Sequence, residues 1–454
     1  MMHLLRKIQN ILGIDGAISY TLLGKGIAIF TTVFTVFFLA RYLSAEEQGY
    51  YYTFASILSI QIFFELGLNN IITQFVAHEY SYLKVDDTYH LQGADVHKSR
   101  LSSLLRFCTK WYSIFAAILL LALLIAGVFF FQKYSNSSAS VTWKIPWILL
   151  AVSSVLNFLT SPINAYMQGL GKVKEIARIR FVQQIFLPII VWGGLMVGAK
   201  LFVSGLNTLG IVLINIYMFK KSSFDKILVN IWNDLSTEAV AYMKEIFPYQ
   251  WRIALSWISG YFTFQLFNPV IFAIEGPVSA GKMGMTISAA NAIQAVLMSW
   301  INTKVPLFSG LIEQKRYQEL DSVFYANFKR IIMLGFVLCI VFISLVYTLQ
   351  HGVFGDAAII FGERFEPILP LSLMTFAIFI QVPVAAWATY LRCHLQEPFL
   401  VNSVVLGAFS LLSTFILGKA YGTIGLSIGY LAIQCISVAW GYIIYTNKRK
   451  EWHK

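Results

Sequence analysis

Three ionisable side chains, Lys25, Glu65 and Lys304, sit inside stretches that are otherwise apolar enough to cross a bilayer. A charge near the middle of a membrane helix costs roughly 2.5–3.5 kcal/mol on insertion scales, so it persists where it has a partner or a task. An ammonium group in a water-filled cavity offsets the desolvation of an anion and supplies charge-assisted hydrogen bonds. Lys25 stands between Gly24 and Gly26, which leaves the helix face around it bare and open to a bulky ligand. Its plainer reading is an ion pair with Glu65 that bundles the first two helices. Glu65 in turn either serves in that pair or binds a coupling proton or sodium ion, as buried carboxylates of membrane proteins do. Lys304 lies near the end of its stretch, within snorkelling reach of the interface. Arg252, at the mouth of the seventh stretch, reads as a gate or headgroup contact or as an interfacial anchor.

Neutral amides form a second tier. Asn69 and Asn70 follow Glu65; Gln265, Asn268, Asn291, Gln294 and Asn302 populate the seventh and eighth stretches; Gln183, Gln184 and Gln381 lie in the fifth and tenth. A side-chain amide both donates and accepts, which matches a ligand rich in hydroxyls. Hydrogen bonding between helices, worth ~0.6 kcal/mol on average, is the alternative for each one. The candidate binding set is therefore Lys25, Glu65, Arg252, Lys304, Asn69, Gln265, Asn268 and Asn291, with Glu65 also the coupling-ion candidate. Cys108, Cys339, Cys393 and Cys435 have no metal-ligand spacing, and there is no Gly-rich phosphate loop. No metal, cofactor or catalytic group is expected.

The elements that must hold these residues follow from composition. Of 454 residues, 57% are hydrophobic and only 12% charged, half the charge of an average soluble protein (about 25%). The charges collect in short blocks between apolar stretches of about 20 residues, the length of a membrane helix. Six spans are expected at 18–40, 50–76, 110–131, 145–168, 180–199 and 201–219. Six more follow at 252–275, 283–309, 329–349, 367–391, 399–418 and 422–446. Prolines 162, 188, 269, 306, 370 and 383 fall within them and are expected to kink them. Trp111, Trp143, Trp147, Trp251 and Trp300 fall near span ends, as interface anchors do. Most of the 34 lysines and arginines lie in the segments that share a side with both termini, which places both termini in the cytoplasm. The net charge of +12 is largely this bias and is no sign of nucleic acid. The connecting segments are too short for a soluble catalytic domain. Residues 97–110 and 224–235 carry apolar residues at helical spacing, as interfacial amphipathic helices or as extensions of the neighbouring spans.

A repeat organises the chain. Ser44-Ala45-Glu46-Glu47-Gln48-Gly49 recurs 235 positions on as Ser279-Ala280-Gly281-Lys282-Met283-Gly284, and the same shift lays the first two spans on the seventh and eighth. The expected architecture is all-α, with about twelve transmembrane helices in two pseudo-symmetric six-helix lobes around a central cavity. The lobes are residues 1–219 and 251–454, joined by a cytoplasmic amphipathic connection at 220–250.

The stretch Phe37-Phe38-Leu39-Ala40-Arg41-Tyr42-Leu43 to Gly49-Tyr50-Tyr51, with Phe64-Glu65-Leu66-Gly67-Leu68, resembles the opening of bacterial polysaccharide flippases. So does Phe247-Pro248-Tyr249-Gln250-Trp251-Arg252, followed by Leu266-Phe267-Asn268-Pro269. These flippases, which carry O-antigen or capsule repeat units, belong to the multidrug/oligosaccharidyl-lipid/polysaccharide exporter superfamily. The resemblance implies alternating access and a cargo of undecaprenyl-pyrophosphate-linked oligosaccharide, moved from the cytoplasmic to the outer leaflet of a bacterial inner membrane. It further implies cationic residues in the cavity, with Lys25 as a counterpart, and polysaccharide-assembly proteins as partners. A cation-coupled multidrug exporter of the same superfamily is the first alternative, but it favours acidic residues in the first span, and none lies between Asp15 and Glu46. A membrane polymerase or ligase is the second; it needs a sizeable outer loop.

Overall fold

The computed structural model describes residues 16–453 apart from 87, 135–140, 235–237, 354 and 395; it gives no side chain for 16–19, 21, 22, 25, 29, 249 and 357. The chain is almost wholly helical. It opens with α1 (Gly16–Tyr42), α2 (Ala45–Leu58), the short α3 (Ile62–Glu65) and α4 (Leu68–Tyr80). A two-stranded hairpin, β1 (Leu83–Val85) and β2 (Leu91–Gly93), leads to α5 (Asp95–Tyr134), α6 (Lys144–Gly169), α7 (Val173–Met196) and α8 (Phe202–Lys221). Then come α9 (Phe224–Asn233), α10 (Tyr242–Glu245), α11 (Phe247–Phe264), α12 (Phe267–Glu275), α13 (Pro277–Asn302) and α14 (Val305–Glu313). The chain finishes with α15 (Tyr317–Gln350), α16 (Asp356–Gly362), α17 (Ile368–Arg392) and α18 (Leu400–Trp452).

Among the described residues nine helices or bent helices are long and apolar enough to cross a bilayer, and α2–α3 with α4, bent by 41°, make a tenth. Helix α18 is two helices across a break at Gly422, and α1 is an apolar helix at the place of the first expected span, so the described helices agree with about twelve segments. The division between the fifth and sixth falls at a tight turn in which Gly198 and Lys200 have positive φ. The two amphipathic stretches part company. Residues 97–110 merely prolong the third span, as one continuous helix α5. Residues 224–233 form the separate helix α9, whose Phe224, Ile227 and Ile231 are buried; Leu235 lies outside the described residues. Trp147 is fully buried against Gly127 and donates to the Leu123 carbonyl, so it is a core residue, whereas Trp251 and Trp300 remain exposed.

Helix breaks are local in cause. Leu66 and Gly67 both take positive φ, which ends α3 directly after Glu65. Two of the expected proline kinks are restarts: Pro269 and Pro306 stand in the first turns of α12 and α14, where a proline's missing N–H costs nothing. Glu275, the last residue of α12, accepts hydrogen bonds from Thr423 N (2.7 Å) and Thr423 Oγ1 (2.6 Å) and so caps the helix that restarts after Gly422.

The helices collect into two compact units. The first takes α1 as far as Thr31, then Ile60–Phe131 and Thr142–Ala254; the second takes Thr32–Ser59 and Leu255–Lys454. The division does not follow chain order, because α2 belongs to the second unit and the rest of its span to the first. Within the second unit, the recurring glycine of the repeat has a visible purpose. A Cβ on Gly49 would lie 1.8 Å from the Pro277 carbonyl oxygen, and one on Gly284 would lie 2.3 Å from the Tyr52 ring. The repeat-related helices α2 and α13 thus cross backbone to backbone. Ser44 caps α2 with a full capping box, its Oγ accepting from Glu47 N while Glu47 accepts from Ser44 N. Buried Gln48 donates to the carbonyls of Gly281 and Arg364.

The connection at 220–250 is fastened to the first unit. Arg106 donates to the carbonyls of Trp232 and Asp234, Ser99 and Ser102 reach those of Glu238 and Asp234, and Arg100 bridges buried Glu79 to Glu245. The hydrogen bond from Arg100 holds the Glu245 carboxyl below the usual carboxylate range.

Two outcomes follow. Gly49→Ala is expected to destabilise the protein by about 1–3 kcal/mol or more by overpacking, while Gly310→Ala, with nothing within 4 Å of its new Cβ, leaves thermal unfolding in detergent unchanged or slightly raised. Because the Glu245 value is lowered by folding, its stabilising contribution is present above the unfolded carboxylate value of about 4.3 and is lost as pH falls through the lower folded value. Hydrogen exchange of residues 242–245 is therefore expected to quicken only below about pH 4.3, and already at neutral pH in Arg100→Gln.

Candidate functional site

Four spans of the first unit turn polar faces toward one another. On α6, Asn157, Ser161, Asn164 and Gln168 recur at steps of four, three and four, which is one helix face. On the second span Glu65, Asn69 and Thr73 recur at steps of four. With Arg180 and Gln183 of α7 and Asn215 of α8, most of these line a pocket of about 280 Å³. Its walls are hydrogen-bonded side chains. Asn69 Nδ2 donates to Glu65 Oε1 (2.6 Å) and to Ser161 Oγ, while Asn69 Oδ1 accepts from the Tyr112 hydroxyl (2.8 Å). Gln183 Nε2 donates to Asn215 Oδ1 (2.8 Å), and Asn215 Nδ2 donates to Thr160 Oγ1 (3.2 Å). Asn164 Oδ1 is buried and has no partner among the described residues.

Arg180 is the charged member. It lies seven residues into α7 and makes no ion pair among the described residues. A neighbouring pocket of about 240 Å³ shares Arg180 and Gln168 and is also lined by Gly24 and Gln184. Lys25 follows Gly24 on α1; its side chain lies outside the described residues, so neither the ligand contact nor the pair with Glu65 is decided. The combination offers a guanidinium, which binds phosphate or carboxylate in a fork, beside amides that match hydroxyls.

Three other candidates meet in the second unit. Gln265, Asn268 and Asn291 line a cavity of about 680 Å³ with Gln294, Gln381 and residues of α2. Gln265 sits at the break between α11 and α12. Two candidates join neither place. Arg252 is exposed, with its guanidinium 5.5 Å from the Trp251 ring, as an interfacial anchor would be. Lys304 occupies the N-cap position of α14, without a side-chain capping bond, at the break in the eighth span and lines none of these pockets. Glu65 adjoins the first pocket through Asn69 and stands at the last turn of a broken half-helix.

Arg180 was missed because the fifth span was expected to begin at 180; α7 begins at Val173, which brings Arg180 inside. The polar face of α6 was missed too, although its spacing is legible in the sequence.

No family profile matches the chain, and no curated relative matches it by sequence. Solved structures do match. An inward-facing multidrug-resistance transporter of the MATE family, in the MOP superfamily, has a TM-score of 0.63 at 13% identity, over 95% of each chain. The lipid II flippase MurJ in an inward closed conformation has 0.57 at 13%, over 94% of this chain and 86% of that one. The Vibrio cholerae MATE transporter VcmN has 0.57 at 12%, over 96% and 97%. The class that fold and spans define is a multi-pass α-helical membrane protein with the fold of MOP-superfamily transporters.

Arg180→Gln is expected to leave thermal unfolding in detergent unchanged, since no ion pair is lost. Asn215→Ala, which strips partners from Gln183 and Thr160 in a buried site, should cost about 1–3 kcal/mol.

Proposed function

We propose that this chain is a flippase for a lipid-linked oligosaccharide, taking an undecaprenyl-pyrophosphate-linked repeat unit from the cytoplasmic to the outer leaflet of a bacterial inner membrane by alternating access. The observation that carries this reading is the Arg180 pocket: one cation among amides, inside a membrane-spanning helix unit. A pyrophosphate headgroup cannot cross hydrocarbon bare, and a guanidinium with pre-placed donors offsets its lost hydration. A hydroxyl-rich glycan then finds donors and acceptors in the surrounding amides. Lys25, one residue past pocket-lining Gly24, is the second cation proposed for this path. Both termini are cytoplasmic in this reading, which puts Arg180 and Glu65 in the half of the membrane where the headgroup is synthesised. Polysaccharide-assembly proteins are its natural partners.

The second reading, a cation-coupled multidrug exporter, draws on the MATE structures among the matches. The polar lining argues against it, since lipophilic drugs favour apolar walls. Coupling is compatible with either. Glu65, at the end of a broken half-helix where backbone carbonyls are freed, is the residue proposed to bind the coupling proton or sodium ion.

Surface glycan export by a deletion strain complemented with each variant tests both points. Lys25→Ala and Arg180→Gln should abolish export at wild-type abundance in the membrane; normal export by both sinks the headgroup assignment. Glu65→Gln should lose transport together with its dependence on an ion gradient, and retention of both would leave Glu65 structural.

A further inference from the structure

Whereas Arg180 lines the first pocket, no charge among the described residues lines the second unit's cavity. Its wall carries five side-chain amides, Gln265, Asn268, Asn291, Gln294 and Gln381, with Ser56 and Ser288 among them and the Tyr52 and Phe264 rings beside them. None of the described lining residues is an acid, a base or a histidine. Three of the amides are already oriented. Gln294 Nε2 donates to Gln381 Oε1 (3.1 Å), and Asn268 Nδ2 donates to Ser56 Oγ (3.1 Å). Asn268 is only 9% exposed, and its Oδ1 has no partner among the described residues. A buried, unpartnered acceptor in a polar cavity calls for a donor from outside.

At about 680 Å³ the cavity falls in the range of small-molecule sites, roughly 300–1,000 Å³. It therefore admits a ligand of several rings. We infer that this cavity is a glycan subsite selective for uncharged sugars, hexoses and N-acetylhexosamines, and that it rejects acidic ones. Amides supply donors and acceptors in equal measure, as hydroxyl and acetamido groups require, and aromatic rings cover the apolar faces of pyranoses. A uronic acid brought here would bury a carboxylate with no cation to meet it, the most costly kind of polar burial. The assignment names the cargo class of the proposed flippase and rests on that reading only for the source of the sugar; the cavity chemistry stands apart from it.

The test uses the full-length protein in lipid nanodiscs, with a neutral N-acetylglucosamine trimer and a galacturonic acid trimer as probes in calorimetric titration. The neutral trimer should bind at least about tenfold more tightly than the acidic one. Asn291→Ala, at an exposed position that folding tolerates, should weaken the neutral trimer by at least about tenfold. Asn291→Arg should gain affinity for the acidic trimer. Equal binding of the two trimers, or Asn291 variants without effect on either, overturns the inference even if glycan export confirms a flippase. Selective neutral binding with normal glycan export in the deletion strain overturns the flippase reading and leaves the subsite standing.

Discussion

In hydrocarbon, every backbone N–H and C=O must find a partner within the protein, and the rest of this structure depends on that constraint. It forces an apolar chain into membrane-length helical segments. It also makes each interruption of a helix a polar event, because a break frees backbone groups that then need company. The breaks here have it. The one after Glu65 is flanked by Asn69 and Asn70, the one at Gln265–Leu266 is followed by Asn268, and the one at Gly422 is capped by Glu275. Polar side chains and helix breaks coincide because each would be unaffordable alone. Binding sites grow where they meet.

The two polar cavities are built by the same device and are proposed to serve two chemistries. Both are built from amides on facing helices, which hold one another in place by direct hydrogen bonds. Only the first has a cation, Arg180, set among groups too weak to neutralise it. An amide wall with a guanidinium suits a phosphorylated sugar, and an amide wall without one suits a neutral sugar. The difference in charge is a single side chain, and it comes from where α7 begins.

Close helix crossings supply the rigidity such sites need. Gly49 and Gly284 let α2 and α13 touch at the backbone, and Gln48 ties that crossing to the turn at Arg364. Without a hydrophobic effect to press helices together in lipid, dispersion between closely apposed small residues takes its place. The repeat that the sequence displays as a recurring glycine is therefore a packing device. Its glycines serve one interface of the second unit, Gly49 against the Pro277 backbone and Gly284 against the Tyr52 side chain.

Sequence alone determined the class of the molecule, its membrane segments and its amide-rich composition. Each segment answers to lipid through its own hydropathy, so no distant residue is needed to read it. The same local logic made the face Asn157-Ser161-Asn164-Gln168 legible as a polar stripe. What only tertiary structure decided is which stripes meet. Gln265, Asn268 and Asn291 share a cavity while Arg252 and Lys304 stay outside it; Trp147 is core while Trp251 is not; α5 is continuous while α9 is separate. Each of those outcomes is a balance of contacts between residues far apart in the chain, such as Gln48 with Gly281 or Asn268 with Ser56. Local propensity carries no information about such pairs.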